Sequence, residues 1–182
     1  CLALFGLGEW LLIVSFTGAS SWIVLAQGIS LKLDLSIGTI TLLISIAVLI
    51  LWIPLGQKPG MGTIFNALII ALMIDLCIKF IPTPSNSVHQ LILAVVSVIT
   101  VGIGGGIYLV SNLGAGPRDG LMIGLQKRTN LPIAAVRATL EITVVSIGWY
   151  LGGTLGVGTL LFAFGIGPCV AFGLYLVNKI FV

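Results

Sequence analysis

Charge is what this sequence has least of. Only 7% of its 182 residues are Asp, Glu, Lys or Arg, against about 25% in a soluble domain. That is too little polar surface to coat a water-facing globule, so lipid is expected to be its main solvent. The formal net charge is +3, and the basic residues are scattered beside the ends of apolar runs. No nucleic-acid footprint results. Histidine occurs once, as His89, and Cys1, Cys77 and Cys169 lack metal-ligand spacing. Zinc, haem and iron–sulfur sites are not expected, nor is any other cofactor. Cys77 and Cys169 lie in apolar runs and read as small core residues rather than as a disulfide. No Ser/His/Asp, Cys/His or paired-carboxylate arrangement points to an enzyme.

What the sequence has is apolar length. Hydrophobic residues make up 58% of it, and the mean hydropathy is +1.24. At roughly 20 to 25 residues per span plus connections, about six spans fit. Five full-length runs are legible: Ser36 to Leu55, Thr63 to Ile81, Val88 to Val110, Pro132 to Leu151 and Gly158 to Val177. The first run, Leu2 to Phe16, covers roughly 22 Å against a core of about 30 Å. Two stretches are too short to cross, Trp22 to Ile29 and Gly120 to Gln126. Each follows a Gly-Ala motif: Thr17-Gly18-Ala19-Ser20-Ser21 in the first case, Leu113-Gly114-Ala115-Gly116-Pro117-Arg118-Asp119 in the second.

These motifs belong to an ungapped repeat with an offset of 96 residues, which carries Gly18-Ala19 onto Gly114-Ala115. The same frame carries Gly6, Gly8 and Ser15 onto Gly102, Gly104 and Ser111. It also carries Gly56, Gly60, Gly62 and Thr63 onto Gly152, Gly156, Gly158 and Thr159. The units are 1–81 and 88–182, joined by a Pro/Ser-rich linker at 82–87. The fourth span starts about nine positions before the counterpart of Cys1, so the first span is expected to lack its beginning. Each unit reads as span, short helix, span, span. An odd number of spans turns the second unit upside down, the plan common among secondary transporters. The expected fold is therefore all-α and polytopic, with six transmembrane helices as two inverted three-span repeats, each carrying a short helix after its first span. Lys58, Arg118, Lys127, Arg128 and Lys179 then share one side, and Lys32 and Lys79 the other. The positive-inside rule puts the first side and both termini in the cytoplasm.

Candidate chemistry gathers at the two motifs. A helix start offers unpaired N–H groups and partial positive charge, suited to an anion or an oxygen-rich solute. Ser20, Ser21, Gly114 and Gly116 are candidate solute-binding positions if the brief helices re-enter the membrane. The alternative is a pair of surface helices with ordinary turn residues. Arg118 can face an anion while Asp119 steadies the helix start, or both can belong to a cytoplasmic loop. Arg137 and Glu141 stand four apart on one helix face and can pair; they either serve a solute or lower each other's cost in the membrane. Glu9 and Asp75 are the other intramembrane acids, the default type for a proton or cation carrier. Asp75 can pair locally with Lys79, whereas Glu9 has no local partner.

Three stretches also carry a family resemblance. They are Leu51-Trp52-Ile53-Pro54-Leu55-Gly56-Gln57-Lys58-Pro59-Gly60-Met61-Gly62-Thr63, Leu113 to Met122, and Gly156-Val157-Gly158-Thr159-Leu160-Leu161-Phe162-Ala163. The chain resembles the bacterial YczE/YyaS/YitT-like integral membrane proteins, YczE-type members most of all. Where such members carry Pro-Trp-Asp in the first half, this chain has Ser21-Trp22-Ile23. The resemblance implies a multi-pass protein of the bacterial plasma membrane. The expected function is a small permease or channel-like transporter of a small solute or anion, working in the lipid bilayer as a homo-oligomer; the alternative is a non-transporting scaffold or accessory factor.

Overall fold

The computed structural model describes residues 1–80, 86–111 and 113–181, and these form eight α-helices. They are α1 (Leu2–Val14), α2 (Ser21–Leu33), α3 (Ile37–Trp52), α4 (Met61–Phe80), α5 (Ser87–Val110), α6 (Pro117–Thr129), α7 (Ile133–Tyr150) and α8 (Val157–Phe181). Most of the 82–87 linker lies outside the described residues, as does the side chain of Lys79.

The 96-residue frame maps α2 onto α6 end to end. Both short helices have 13 residues, longer than the 22–29 and 120–126 expected from apolarity alone. Pro117 explains the early start of α6, because proline at the first helical position sacrifices no hydrogen bond. Gly28 and Gly124 interrupt neither helix. Each ends instead where an equivalent residue turns left-handed, Asp34 at φ 53° and Asn130 at φ 55°. These two residue types tolerate that conformation through local hydrogen bonding of a short polar side chain.

Among the described residues, four helices are long and apolar enough to cross a membrane: α4, α5, α7 and α8. Against the six spans expected, α1 has 13 residues and α3 has 16. The apolar run of α3 continues to Leu55, but the helix stops at Trp52, because Pro54 has no N–H to extend the helical ladder. The chain closes in i→i+3 turns from Leu55 N–H to the Trp52 carbonyl and from Gly56 N–H to the Ile53 carbonyl. α2 and α3 meet at 114° across the break between them. On α4, Ile64, Leu68, Leu72 and Leu76 form an exposed apolar stripe at four-residue spacing, as a lipid-facing helix would.

Glycines set the closest helix crossings. Gly8 on α1 lies against Val101 and Ser97 of α5, and its counterpart Gly104 lies against Phe5 of α1 and Cys1 just before it. These contacts exchange under the 96-residue frame, so α1 and α5 cross at their equivalent points. Ser97 Oγ adds a hydrogen bond of 2.7 Å to the Gly8 carbonyl. Gly6 meets Met73 of α4, and likewise Gly102 meets Cys169 of α8. Small residues allow such backbone approach where lipid supplies no hydrophobic drive between helices.

The turns exchange partners in the same way. Thr63 Oγ1 donates to the Ala115 carbonyl at 2.7 Å, and the Ala19 N–H donates to Thr159 Oγ1 at 3.2 Å. Gly62 N–H donates to the Leu113 carbonyl at 2.9 Å, and Gly158 N–H to the Thr17 carbonyl at 2.8 Å. Each half's Gly-x-Gly-Thr turn thus grips the Gly-Ala motif of the other half. Gly18 (φ 126°) and Gly114 (φ 118°) provide the bend there, in a region closed to side-chain-bearing residues. The result fixes where α2 and α6 begin.

Candidate functional site

Both short helices begin at one cavity of about 460 Å³. That volume lies within the range of small-molecule sites. Equivalent residues of the two halves line it: Ser20 and Gly116, Ser21 and Pro117, Trp22 and Arg118. Thr41 and Arg137, Ser45 and Glu141, and Glu9 and Gly105 do the same from the flanking helices. The cavity therefore lies where the two halves meet, and the second half supplies most of the charge.

Glu9 anchors the site. It lies on α1 and is fully buried, at 0% exposure. Ser20, the residue before α2, donates its hydroxyl proton to Glu9 Oε2 at 2.7 Å. Ser20 stands at the N-cap position of α2, but its side chain makes no cap hydrogen bond and serves Glu9 instead. Glu9 Oε1 lies 3.7 Å from Arg118 Nη1, an ion-pair distance too long for a hydrogen bond. Glu9 Oε1 is left buried with no hydrogen-bond partner. Arg118 comes from the start of α6 and stacks on Trp22, with the guanidinium carbon 5.4 Å from the ring centroid. Its side chain retains 23% exposure.

A second pair completes the charged belt. Arg137 Nε donates to Glu141 Oε1 at 3.1 Å, as their four-residue spacing suggests. Ser21 Oγ reaches Glu141 Oε2 at 3.4 Å, which joins α7 of the second half to α2 of the first. Asp119 stands in the first turn of α6 and is exposed along the cavity wall. It does not cap α6; Gly116 holds that position. Opposite the charges, Phe162, Ile166, Val170 and Leu174 of α8 line the cavity at four-residue spacing.

Of the candidate positions read from sequence, Glu9, Ser20, Ser21, Gly116, Arg118, Asp119, Arg137 and Glu141 line this cavity. Gly114 and Asp75 do not. The Gly114 carbonyl accepts from the Tyr108 hydroxyl at 2.7 Å and serves the turn. Asp75 accepts from Gly38 N–H at 2.8 Å and Ser36 Oγ at 2.6 Å, so it satisfies the start of α3 from α4. Sequence reading missed Trp22, Thr41, Ser45 and Asn66. The repeat frame held the signal for three of them, as the counterparts of Arg118, Arg137 and Glu141.

A model described as a family of unknown function (DUF6198) matches residues 1–174. The chain belongs to that family. An uncharacterized protein of Haemophilus influenzae is 40% identical over 179 residues, covering 98% of this chain and 82% of that protein. The uncharacterized membrane protein YczE of Bacillus subtilis is 34% identical over 116 residues, 64% of this chain and 54% of YczE. The uncharacterized protein YyaS of the same organism is 27% identical over 164 residues, 88% of this chain and 82% of YyaS. No solved structure matches. Kinship with YczE and the four long apolar helices make the chain a YczE-like membrane protein.

Proposed function

We propose that this family member is a small permease or channel-like transporter whose solute binds in the cavity between α2 and α6, and that it is not an enzyme. One observation carries the reading. Two short helices from opposite halves start at one cavity that gathers Glu9, Arg118, Asp119, Arg137 and Glu141 inside an otherwise apolar protein. Non-helical backbone at membrane depth is tolerated where it lines such a cavity. Charged side chains in spans usually face the same interior. In this reading α1 and α3 cross the membrane together with the four longer helices. The halves are inverted three-span repeats, and both termini face the cytoplasm of a bacterial cell. Six short spans leave little protein to enclose a path, so the working form is a homo-oligomer.

Single cysteines along 18–30 and 114–126, in a cysteine-free background, test this. Aqueous reagents applied from either side should reach Ser20→Cys and Gly116→Cys from opposite sides. Labelling of each short helix along its whole length from one side only would instead favour a membrane scaffold or accessory factor.

A further inference from the structure

We infer that the cavity binds a small zwitterion of the amino-acid type, with its carboxylate on Arg118 and its ammonium on Asp119. The inference rests on the reading of the cavity as a solute site and names the solute's chemistry. Charge balance sets the first condition. Glu9, Asp119 and Glu141 face Arg118 and Arg137 around the cavity, a formal sum of −1. The starts of α2 and α6 add about +0.5 each. The site is near neutral as built, so a solute of net charge would bring an uncompensated charge to membrane depth. A neutral solute would not.

Unused capacity sets the second condition, and it exists for both signs. Among the described residues Arg118 has one ion-pair partner, Glu9 Oε1, at 3.7 Å, so that guanidinium N–H makes no hydrogen bond to it. A carboxylate entering between Arg118 and the start of α2 gains the fork geometry that guanidinium favours. α2 has no acid of its own in its first turn to compete. Asp119 has no ion pair or hydrogen bond among the described residues, although it is exposed on the cavity wall. It follows Arg118 in the first turn of α6, and both side chains line the cavity, so one helix start presents donor and acceptor. The unsatisfied, fully buried Glu9 Oε1 at the same place accepts a further N–H from the solute. The apolar stripe of α8, Phe162 to Leu174, leaves room for an aliphatic or aromatic side chain.

Thermal stabilisation of the full chain in detergent tests this. The probes are alanine, leucine and phenylalanine, each as the free amino acid, the amide and the N-acetyl acid. The free amino acids should raise the unfolding midpoint, with binding about tenfold or more tighter than the amide or N-acetyl form of the same side chain. Asp119→Asn should abolish the preference over the N-acetyl acid, and Asp119→Glu should restore it. The wild-type panel decides alone if Asp119→Asn does not fold. Equal binding of a charged derivative overturns the zwitterion and leaves the cavity as a solute site. No stabilisation by any probe also overturns it; the transport reading then stands or falls on cysteine accessibility.

Discussion

Arg118 and Trp22 are equivalent residues of the two halves, and they stack on one another at 5.4 Å. A residue can meet its own counterpart only where the halves meet, so this pair marks the seam between them at the cavity. A cation over an indole face contributes about 0.5 to 2 kcal/mol, more when water is excluded. Arg118 also answers the buried charge of Glu9. Losing the indole and losing the arginine should therefore differ. Trp22→Leu should lower stability by about 1 kcal/mol. Arg118→Gln strands Glu9 and should cost about 3 kcal/mol, a typical figure for breaking a buried pair. In denaturant titrations, Glu9→Gln combined with Arg118→Gln should be less damaging than the sum of the single changes. Simple additivity would mean that the two charges do not act together.

The repeat frame made much of this fold legible. It delivers the matched short helices, the two turns and the glycine crossings, because each rests on local chemistry repeated in register. Glu9 shows where local reading ends. Its partners are Ser20, eleven residues on, and Arg118, in the other half, and no spacing rule connects α1 to α6. Asp75 shows the same limit. Its spacing suggested Lys79, whose side chain lies outside the described residues, but no spacing rule points to the backbone N–H of Gly38 at the start of α3, which Asp75 accepts from across 37 residues. The end of α3 was hidden for a different reason: apolarity continues past Trp52, but Pro54 has no N–H to extend the helical ladder, and turns take over.

Asp75 and Glu9, both acids within apolar helices, should separate by assay. Asp75→Asn keeps an acceptor for Gly38 N–H but weakens the charge-assisted bonds to it and to Ser36. The expected cost is about 1 kcal/mol, in the range for helix caps. Solute binding to the folded fraction should be unchanged. Glu9→Gln should change both stability and binding. An Asp75→Asn protein of normal stability that fails to bind would contradict the assignment of Asp75 to the α3 start.

Thr63 and Thr159 make equivalent ties between the halves. Thr63→Val leaves the Ala115 carbonyl and the Gly60 N–H without their partner. Thr159→Val does the same to the N–H groups of Ala19 and Gly156. Each should lower stability by about 1 to 3 kcal/mol, the cost of a buried polar group left unmet. Hydrogen exchange should loosen at the start of α6 in the first variant and of α2 in the second. Loosening at the same helix in both would contradict the crossed arrangement of ties.

The packing of each short helix on the opposite half uses glycine on alternate sides, and this predicts an unequal rescue. On one side Gly120 of α6 lies under the indole of Trp52, which donates its Nε1–H to the Pro117 carbonyl at 2.9 Å. On the other side Gly148 of α7 lies against the backbone of Val24 and Leu25, where an added Cβ would stand 2.5 Å from Leu25 N. Either Gly→Ala change overpacks its crossing, at about 1 to 3 kcal/mol. A side chain can be shortened and a backbone cannot. Trp52→Phe should therefore recover part of the loss in Gly120→Ala, less the Pro117 hydrogen bond. No substitution at Val24 or Leu25 should recover Gly148→Ala, because the atoms in the way are main-chain atoms. Thermal midpoints of the two single and the paired variants measure this directly. Rescue of Gly148→Ala by Leu25→Ala would mean that side chains, not backbone, set the distance between α2 and α7.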